Sequence, residues 1–266
     1  MKTNYQHLSL LLLMLAVYRL NGQDAKTTYP VINTDRPTQA FSPYIVPQGT
    51  LQIETGFSFE QESNDNDDLL RYDLAGTQLR YGLFDNFELR AFGFYSIKEI
   101  SPKSGVKDST LSGFGPLRLG FKVHVVEEDG WRPEMAVIAN LTLRHIGEEE
   151  FAPVFSYPIA SILFANTLAG NLSLVYNAGF AYSGKNADGF FIYRVALNYA
   201  VLDKLVLFVE PYGNFDQGDL PNHKLNGGLM YLLANNLQLD VSYGIGFSKD
   251  ISKSFGGIGL SWRIPH

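Results

Sequence analysis

The 266-residue chain contains no cysteine. That absence excludes a disulfide framework, a thiolate metal site, a cysteine nucleophile and a lipid anchor of the bacterial lipoprotein kind. No run of eighteen apolar residues occurs, so a bundle of membrane-spanning helices is excluded as well. Charge is scarce: Asp, Glu, Lys and Arg make up 18% of the chain, which is low for a soluble domain. Its mean hydropathy is nevertheless only -0.04. One architecture reconciles few charges with neutral hydropathy. In a transmembrane β-barrel, lipid-facing apolar residues alternate with lumen-facing polar ones, and the two average out. The net charge of -6 argues against nucleic acid as a partner.

What is present begins with a leader. Lys2 precedes the apolar run Leu8–Val17 and a polar boundary at Asn21, Gly22 and Gln23. The run is too short to span a bilayer and reads as the core of a secretory signal, cleaved between Gly22 and Ala25. Residues 23–48 follow without periodicity and hold Pro30, Pro37, Pro43 and Pro47. The chain therefore divides into a signal peptide over 1–22, a periplasmic segment over 23–48 and a barrel over 49–266.

From Gly49 onward the texture is alternation. Leu51, Ile53, Thr55, Phe57 and Phe59 share one face, and Gln52, Glu54, Gly56, Ser58 and Glu60 share the other. The same pattern recurs at Leu117–Val125 and Leu237–Phe247. The segments run for about ten to fourteen residues, the length of a tilted membrane-crossing strand, and about twelve are present. The expected fold is an all-β, antiparallel, up-and-down transmembrane barrel. Two stretches resist assignment: the facing of Leu70–Gly76 is ambiguous, and Phe155–Phe164 is apolar on both faces and contains Pro158.

The connections alternate between two kinds. Short ones repeat a local pattern around Asp85, Asp203 and Asn235, where an apolar pair such as Leu83 and Phe87 brackets a three-residue loop. Glu127–Trp131 and Asn166–Gly170 read as longer members of this set. The other kind is long and polar: Gln61–Asp68, Ile97–Phe114, Gly147–Phe151, Ser183–Gly189, Phe215–Asn222 and Ser248–Lys253. Short turns on the periplasmic side and long loops outside are the membrane-barrel arrangement. Tyr81, Phe87, Tyr199, Tyr231 and Trp262 gather beside the turns, and Phe59, Tyr95, Tyr182, Phe191 and Phe247 beside the loops, as aromatic girdles require.

Several of these residues carry a family resemblance. Thr34-Asp35-Arg36-Pro37, Val46-Pro47-Gln48-Gly49, Gln52–Phe57 and Leu79–Arg90 resemble the outer-membrane transporters of the MetA-pathway phenol-degradation family. The closing Gly259–Arg263 resembles a barrel's last strand, although Ile264-Pro265-His266 departs from the usual terminal aromatic. The resemblance implies passage of an aromatic or other hydrophobic solute. It also implies outer-membrane lipid, lipopolysaccharide and the barrel-assembly machinery as partners.

Candidate chemistry is sparse. Of five histidines, His124 sits on the polar phase of a strand, while His145 and His223 fall at loop edges and read as solvated. No pair has metal-ligand spacing and no nucleophile elbow occurs, so neither an enzyme nor a metal or other cofactor is expected. The acidic loops, with Glu62, Asp65, Asp67, Asp68 and Glu148–Glu150, match no calcium loop and read as solvated. The lumen remains. Glu54, Arg80, Glu88, Arg90, Arg118, Lys122, Glu134, Arg194, Glu210, Asp240 and Arg263 all fall on the polar phase of their strands. An Arg or Lys facing lipid at midplane costs roughly 2–4 kcal/mol, so these side chains face inward. They either line a water-filled path or pair across a closed interior. Segment 23–48 is a candidate plug, with Asp35 and Arg36 meeting lumen charges. The favoured function is passive passage of a small solute. A structural or adhesive barrel acting through its loops is the alternative.

Overall fold

A computed structural model describes residues 29–105, 107–185, 188–215, 222–248 and 251–264. The expected signal peptide lies outside them. The chain divides into two compact units, residues 1–30 and Val31–His266. The second unit holds the strands.

Among the described residues thirteen strands form a single sheet: β1 Leu51–Ser63, β2 Asp67–Phe84, β3 Phe87–Pro102, β4 Ser109–Phe114, β5 Arg118–Val126, β6 Glu134–Thr142, β7 Tyr157–Ala169, β8 Leu172–Tyr182, β9 Gly189–Leu202, β10 Leu205–Phe215, β11 Asn222–Ala234, β12 Leu237–Ser248 and β13 Ile251–Arg263. Every ladder is antiparallel and joins chain neighbours, apart from the closing pair of β1 with β13 and from β3, which pairs with β4 along its outer half and with β5 along its inner half. β4 and β5 thus occupy one place in the wall, interrupted at Gly115-Pro116-Leu117. β1 pairs with β13 from Gln52↔Arg263 to Ser63↔Ser252 and closes the ring at twelve strands. Closure leaves no edge, the condition for placing a sheet in lipid.

Alternation sets the two faces. Leu239, Val241, Tyr243, Ile245 and Phe247 are exposed on β12, while Gln238 and Asp240 between them are buried. Tyr81, Tyr199, Tyr231 and Trp262 are exposed at the turn end, and Tyr182, Phe191 and Phe247 at the loop end. An apolar exterior between aromatic rows, around a polar interior, is the outer-membrane form of the barrel.

The turns differ from the expected register. Leu83 does not face Phe87. Phe84 pairs with Phe87 and Gly82 with Glu88, so Leu83 is an extra residue on β2 and the turn itself is Asp85-Asn86. The same one-residue bulge falls at Val125, Leu168, Val201 and Leu233. A bulge adds local twist and lets two consecutive residues, such as Leu83-Phe84 or Val201-Leu202, lie at the lipid surface together. The outer connections are corrected as well. Gln61–Asp68 is mostly ladder, with only residues 64–66 outside the strands, and Ile97–Phe114 is largely the β3–β4 hairpin. Ser63 Oγ donates to Asp68 at 2.5 Å, and Lys253 pairs with Glu60 and Glu62 at 3.0 and 3.2 Å. Polar residues on both faces erase the alternation without ending the strand.

The two ambiguous stretches have separate causes. β2 carries an extra residue between Leu74 and Thr77, where Ala75 has φ 48°, and the inward phase changes from Arg71 and Asp73 to Gln78 and Arg80. In β7 the inward Leu163 packs with Ala136 and Ile138 of β6 as a small apolar area, covered by Phe41. Its inner face is apolar because it meets another part of the chain.

Candidate functional site: the lumen and the N-terminal segment

Residues 31–48 lie against the inward side chains of the wall. Segment 31–48 has no sheet ladder beyond a single bridge of Gln48 with Gly82, so its backbone groups need other partners. They find them in strand side chains. The amides of Gln39 and Ala40 donate to Glu210 on β10 at 2.8 and 2.5 Å, and that of Val46 donates to Glu88 on β3 at 3.0 Å. The Phe41 amide donates to Asn177 Oδ1 on β8 at 2.7 Å, and Asn177 Nδ2 donates back to the Phe41 carbonyl at 2.9 Å. Gln52 donates to the Asn33 carbonyl and Gln238 to Thr34 Oγ1, each at 2.8 Å.

The densest cluster centres on Asp35. Its carboxylate meets Arg90 Nη2 at 2.7 Å, Lys122 Nζ at 3.3 Å and Arg80 Nη1 at 3.8 Å, and it accepts the Ser42 amide at 3.1 Å. The Asp35 amide donates to Glu54 at 3.1 Å. Arg80 bridges Glu54 at 2.8 Å and Glu88 at 2.9 Å, and Glu88 also accepts from Arg90 at 2.5 Å. Lys122 donates further to the carbonyls of Ser42 and Tyr44 at 2.8 and 3.2 Å. Three cations and three carboxylates are thus balanced in a buried cluster, the condition under which buried charge is tolerated. Burial alone pushes the Asp35 carboxyl up, but Arg80, Lys122 and Arg90 outweigh it and hold the group well below the usual carboxylate range.

Arg36 makes a second anchor. Its Nη2 and Nε reach Asp240 on β12 at 3.1 and 3.3 Å. The guanidinium lies over Gly56 and Gly259, and a Cβ at either glycine would collide with it. A third anchor is aromatic: Phe41 is flanked by the guanidiniums of Arg90 and Arg194, 5.3 and 5.1 Å from its ring centre.

The expected lumen residues therefore separate into groups. Glu54, Arg80, Glu88, Arg90 and Lys122 come together around Asp35, while Asp240 takes Arg36 and Glu210 takes backbone amides of the segment. Glu134 stands apart with His124, 2.6 Å away, and accepts the Glu128 amide at 2.6 Å. Arg263 is buried on β13 at the closing ladder. Arg118 lies 5.5 Å from the Phe92 ring and Arg194 beside Phe41, neither in an ion pair among the described residues. Asn177, Gln52, Gln238 and Asn226 were missed because neutral amides carry no charge signal. Their inward strand phase was their one trace. His223 is corrected: it is not solvated but bonds Tyr193 Oη through Nδ1 at 2.7 Å.

Beyond the segment, on the loop side, the lumen holds three cavities of about 500, 230 and 210 Å³, the middle one sharing wall residues with each of the other two. Gln39 forms part of the floor, and Phe92, Phe94, Tyr157, Tyr212 and Phe255 are in the walls. A further cavity of about 420 Å³ opens in the barrel wall where β4 and β5 are interrupted. Small residues, Ala75, Ala91, Gly93 and Gly115, leave the wall thin there, and Phe92 and Phe94 line this cavity as well as the largest lumen cavity.

Known structures share the fold. An outer-membrane channel from Pseudomonas putida F1 superposes with a TM-score of 0.61 at 11% identity, over 88% of this chain and 100% of that one. The translocator domain of the autotransporter NalP from Neisseria meningitidis gives 0.52 at 12% identity, over 81% and 88%. A mutant of the monoaromatic hydrocarbon channel TodX gives 0.50 at 8% identity, over 90% and 96%. No curated protein matches the sequence significantly. The sequence profile of the family described as "Putative MetA-pathway of phenol degradation" matches residues 34–264, and the chain belongs to that family.

Proposed function

We propose that the protein is a passive outer-membrane channel for a small hydrophobic or aromatic solute, with residues 23–48 as its plug. The observation that carries this reading is the aromatic-walled vestibule whose floor is the N-terminal segment. Solute arriving from outside meets Phe92, Phe94, Tyr212 and Phe255 before it meets the buried ion cluster. An apolar solute gains about 25 cal/mol for each Å² of its surface withdrawn from water, and nothing comparable on entering the cluster around Asp35. The cluster thus acts as a polar barrier that must move, while the thin wall beside Phe92 and Phe94 offers an apolar way out to the lipid. Family membership and the likeness to channel structures support the same reading. No step in it calls for catalysis or a cofactor. Lipopolysaccharide would surround the outer hairpins, and the barrel-assembly machinery would recognise Gly259–Arg263.

The test is planar-bilayer conductance of the refolded mature protein beside a variant lacking residues 23–48, with benzyl alcohol flux into proteoliposomes as the solute assay. The intact protein should conduct in small, infrequent steps and the variant in large, sustained ones, with benzyl alcohol flux above that of empty vesicles. A folded barrel that stays silent without the segment and passes no benzyl alcohol would refute the channel.

A further inference from the structure

Among the described residues the vestibule holds more cations than its carboxylates pair with directly. Arg71 is paired with Asp73 at 2.8 Å, and Lys253 with Glu60 and Glu62. Lys98, Arg118, Arg194 and Lys224 also line the vestibule, and none of them forms an ion pair among the described residues. Among the described residues, Glu150 is the acid of that wall that forms no ion pair. In a protein of net charge -6, this surplus of cations within one cavity system is a local feature.

Two of the four stand out. Arg194 presents a buried Nη1 with no hydrogen-bond partner, and the nearby Glu210 is occupied by the amides of Gln39 and Ala40. Arg118 has two neutral partners, the Tyr157 hydroxyl and Thr142 Oγ1 at 3.4 Å, which leave part of a guanidinium with five donors open and its charge unmatched by any carboxylate among the described residues. The two guanidiniums lie within each other's electrostatic reach. Each also packs on a phenylalanine, Arg118 on Phe92 and Arg194 on Phe41. A planar fork with free donors is the group that binds a carboxylate in bidentate fashion, and the adjacent rings are the group that binds an apolar body.

We propose that the vestibule binds an amphiphilic organic anion, its carboxylate held by Arg118 and Arg194 and its aromatic or apolar body against Phe92 and Phe94. The proposal rests on the channel reading and narrows its solute from hydrophobic compounds in general to those with an anionic head. Lys98 and Lys224 then draw the anion in through the outer lumen.

The test uses the refolded mature chain in detergent micelles, titrated calorimetrically with benzoate and with benzyl alcohol, its neutral near-isostere. The variants are Arg118→Gln, Arg194→Gln and Arg194→Lys, each checked for folding by heat-modifiable electrophoretic mobility. Benzoate should bind at least about tenfold more tightly than benzyl alcohol. Either glutamine variant should reduce that preference by about tenfold, chiefly through weaker benzoate binding, and Arg194→Lys should keep part of what Arg194→Gln loses. Equal binding of the two probes overturns the proposal, and so does a folded glutamine variant that keeps the preference. If the variants fail to fold, the wild-type comparison decides alone. Benzyl alcohol flux without a benzoate preference sinks the anion site and leaves the channel standing. Neither flux nor binding sinks both.

Discussion

Replacing Asp35 by Asn keeps the side chain's shape and removes its charge. In the native protein this carboxylate faces Arg90, Lys122 and Arg80 at 2.7, 3.3 and 3.8 Å, all buried. Glu54 and Glu88 remain in the variant, so three buried cations face two carboxylates in place of three. Removing one partner from a buried charge cluster costs about 3–5 kcal/mol. Each 1.4 kcal/mol is tenfold in an equilibrium constant, so the docking equilibrium constant of the segment should fall by roughly two to three and a half decades. The barrel wall makes its own ladder and stays closed. The cost therefore appears as release of residues 31–48 and not as unfolding. The assay is paired: single-channel recordings of the Asp35→Asn protein, and chymotrypsin cleavage at Phe41 and Tyr44 in folded micellar protein. Longer open times and rapid cleavage are expected, against brief openings and protection in the wild type. A variant with wild-type recordings and wild-type protection would show that the neutral contacts of Asn177, Gln52 and Gln238 hold the segment unaided, and the reasoning would fail.

Other expectations follow from the same geometry. Asp35 is held below its ordinary value of 3.8, so its contribution to docking is present above that value and is lost only as pH falls through the lower native one. Protection of Phe41 and Tyr44 from pepsin, an acid protease that cuts beside aromatic residues, should therefore persist at about pH 4, where an unperturbed aspartate is half protonated; a midpoint of release near pH 4 would contradict the assigned partners. Gly259→Val should expel Arg36 from its seat over β13 and weaken docking even though Asp240 is intact, with gain of chymotrypsin cleavage as the readout. Leu239→Arg puts a cation on the lipid face of β12 and should cost about 2–4 kcal/mol in urea unfolding from lipid vesicles, whereas Gln238→Arg at the neighbouring inward position should not show that lipid-burial penalty.

Strand identity and facing were legible wherever one face meets lipid and the other a polar lumen, as on β12, because period two then carries both. They failed where that contrast was absent. Arg71 and Gln78 both face inward despite opposite parity, since a bulge at Ala75 adds one residue, and a bulge leaves no composition signal. Leu163 faces inward yet is apolar, because its neighbour is Phe41 and not water. The inward charges were legible one at a time from the cost of facing lipid. Their partners were not, because Asp35 with Lys122 and Arg36 with Asp240 are set by closure of the ring across 87 and 204 residues. Asn177 and Gln238 gave no warning, being ordinary amides until the segment's unpaired backbone is laid beside them.

The anchoring of Arg36 to Asp240 also orders events in time. Arg36 lies near the start of the chain and its partner 204 residues later, on the strand before last. The segment can be fully seated only after β12 has joined β13 and β13 has met β1, so contacts with early strands such as Glu54 and Arg80 precede those with Glu210 and Asp240. Contacts of such long sequence separation form late in folding. A seated segment is therefore a record that the ring has closed: a barrel stalled one hairpin short would keep residues 31–48 half attached and open to proteases of the periplasm. The same polar contacts that stopper the lumen would then mark finished barrels apart from unfinished ones.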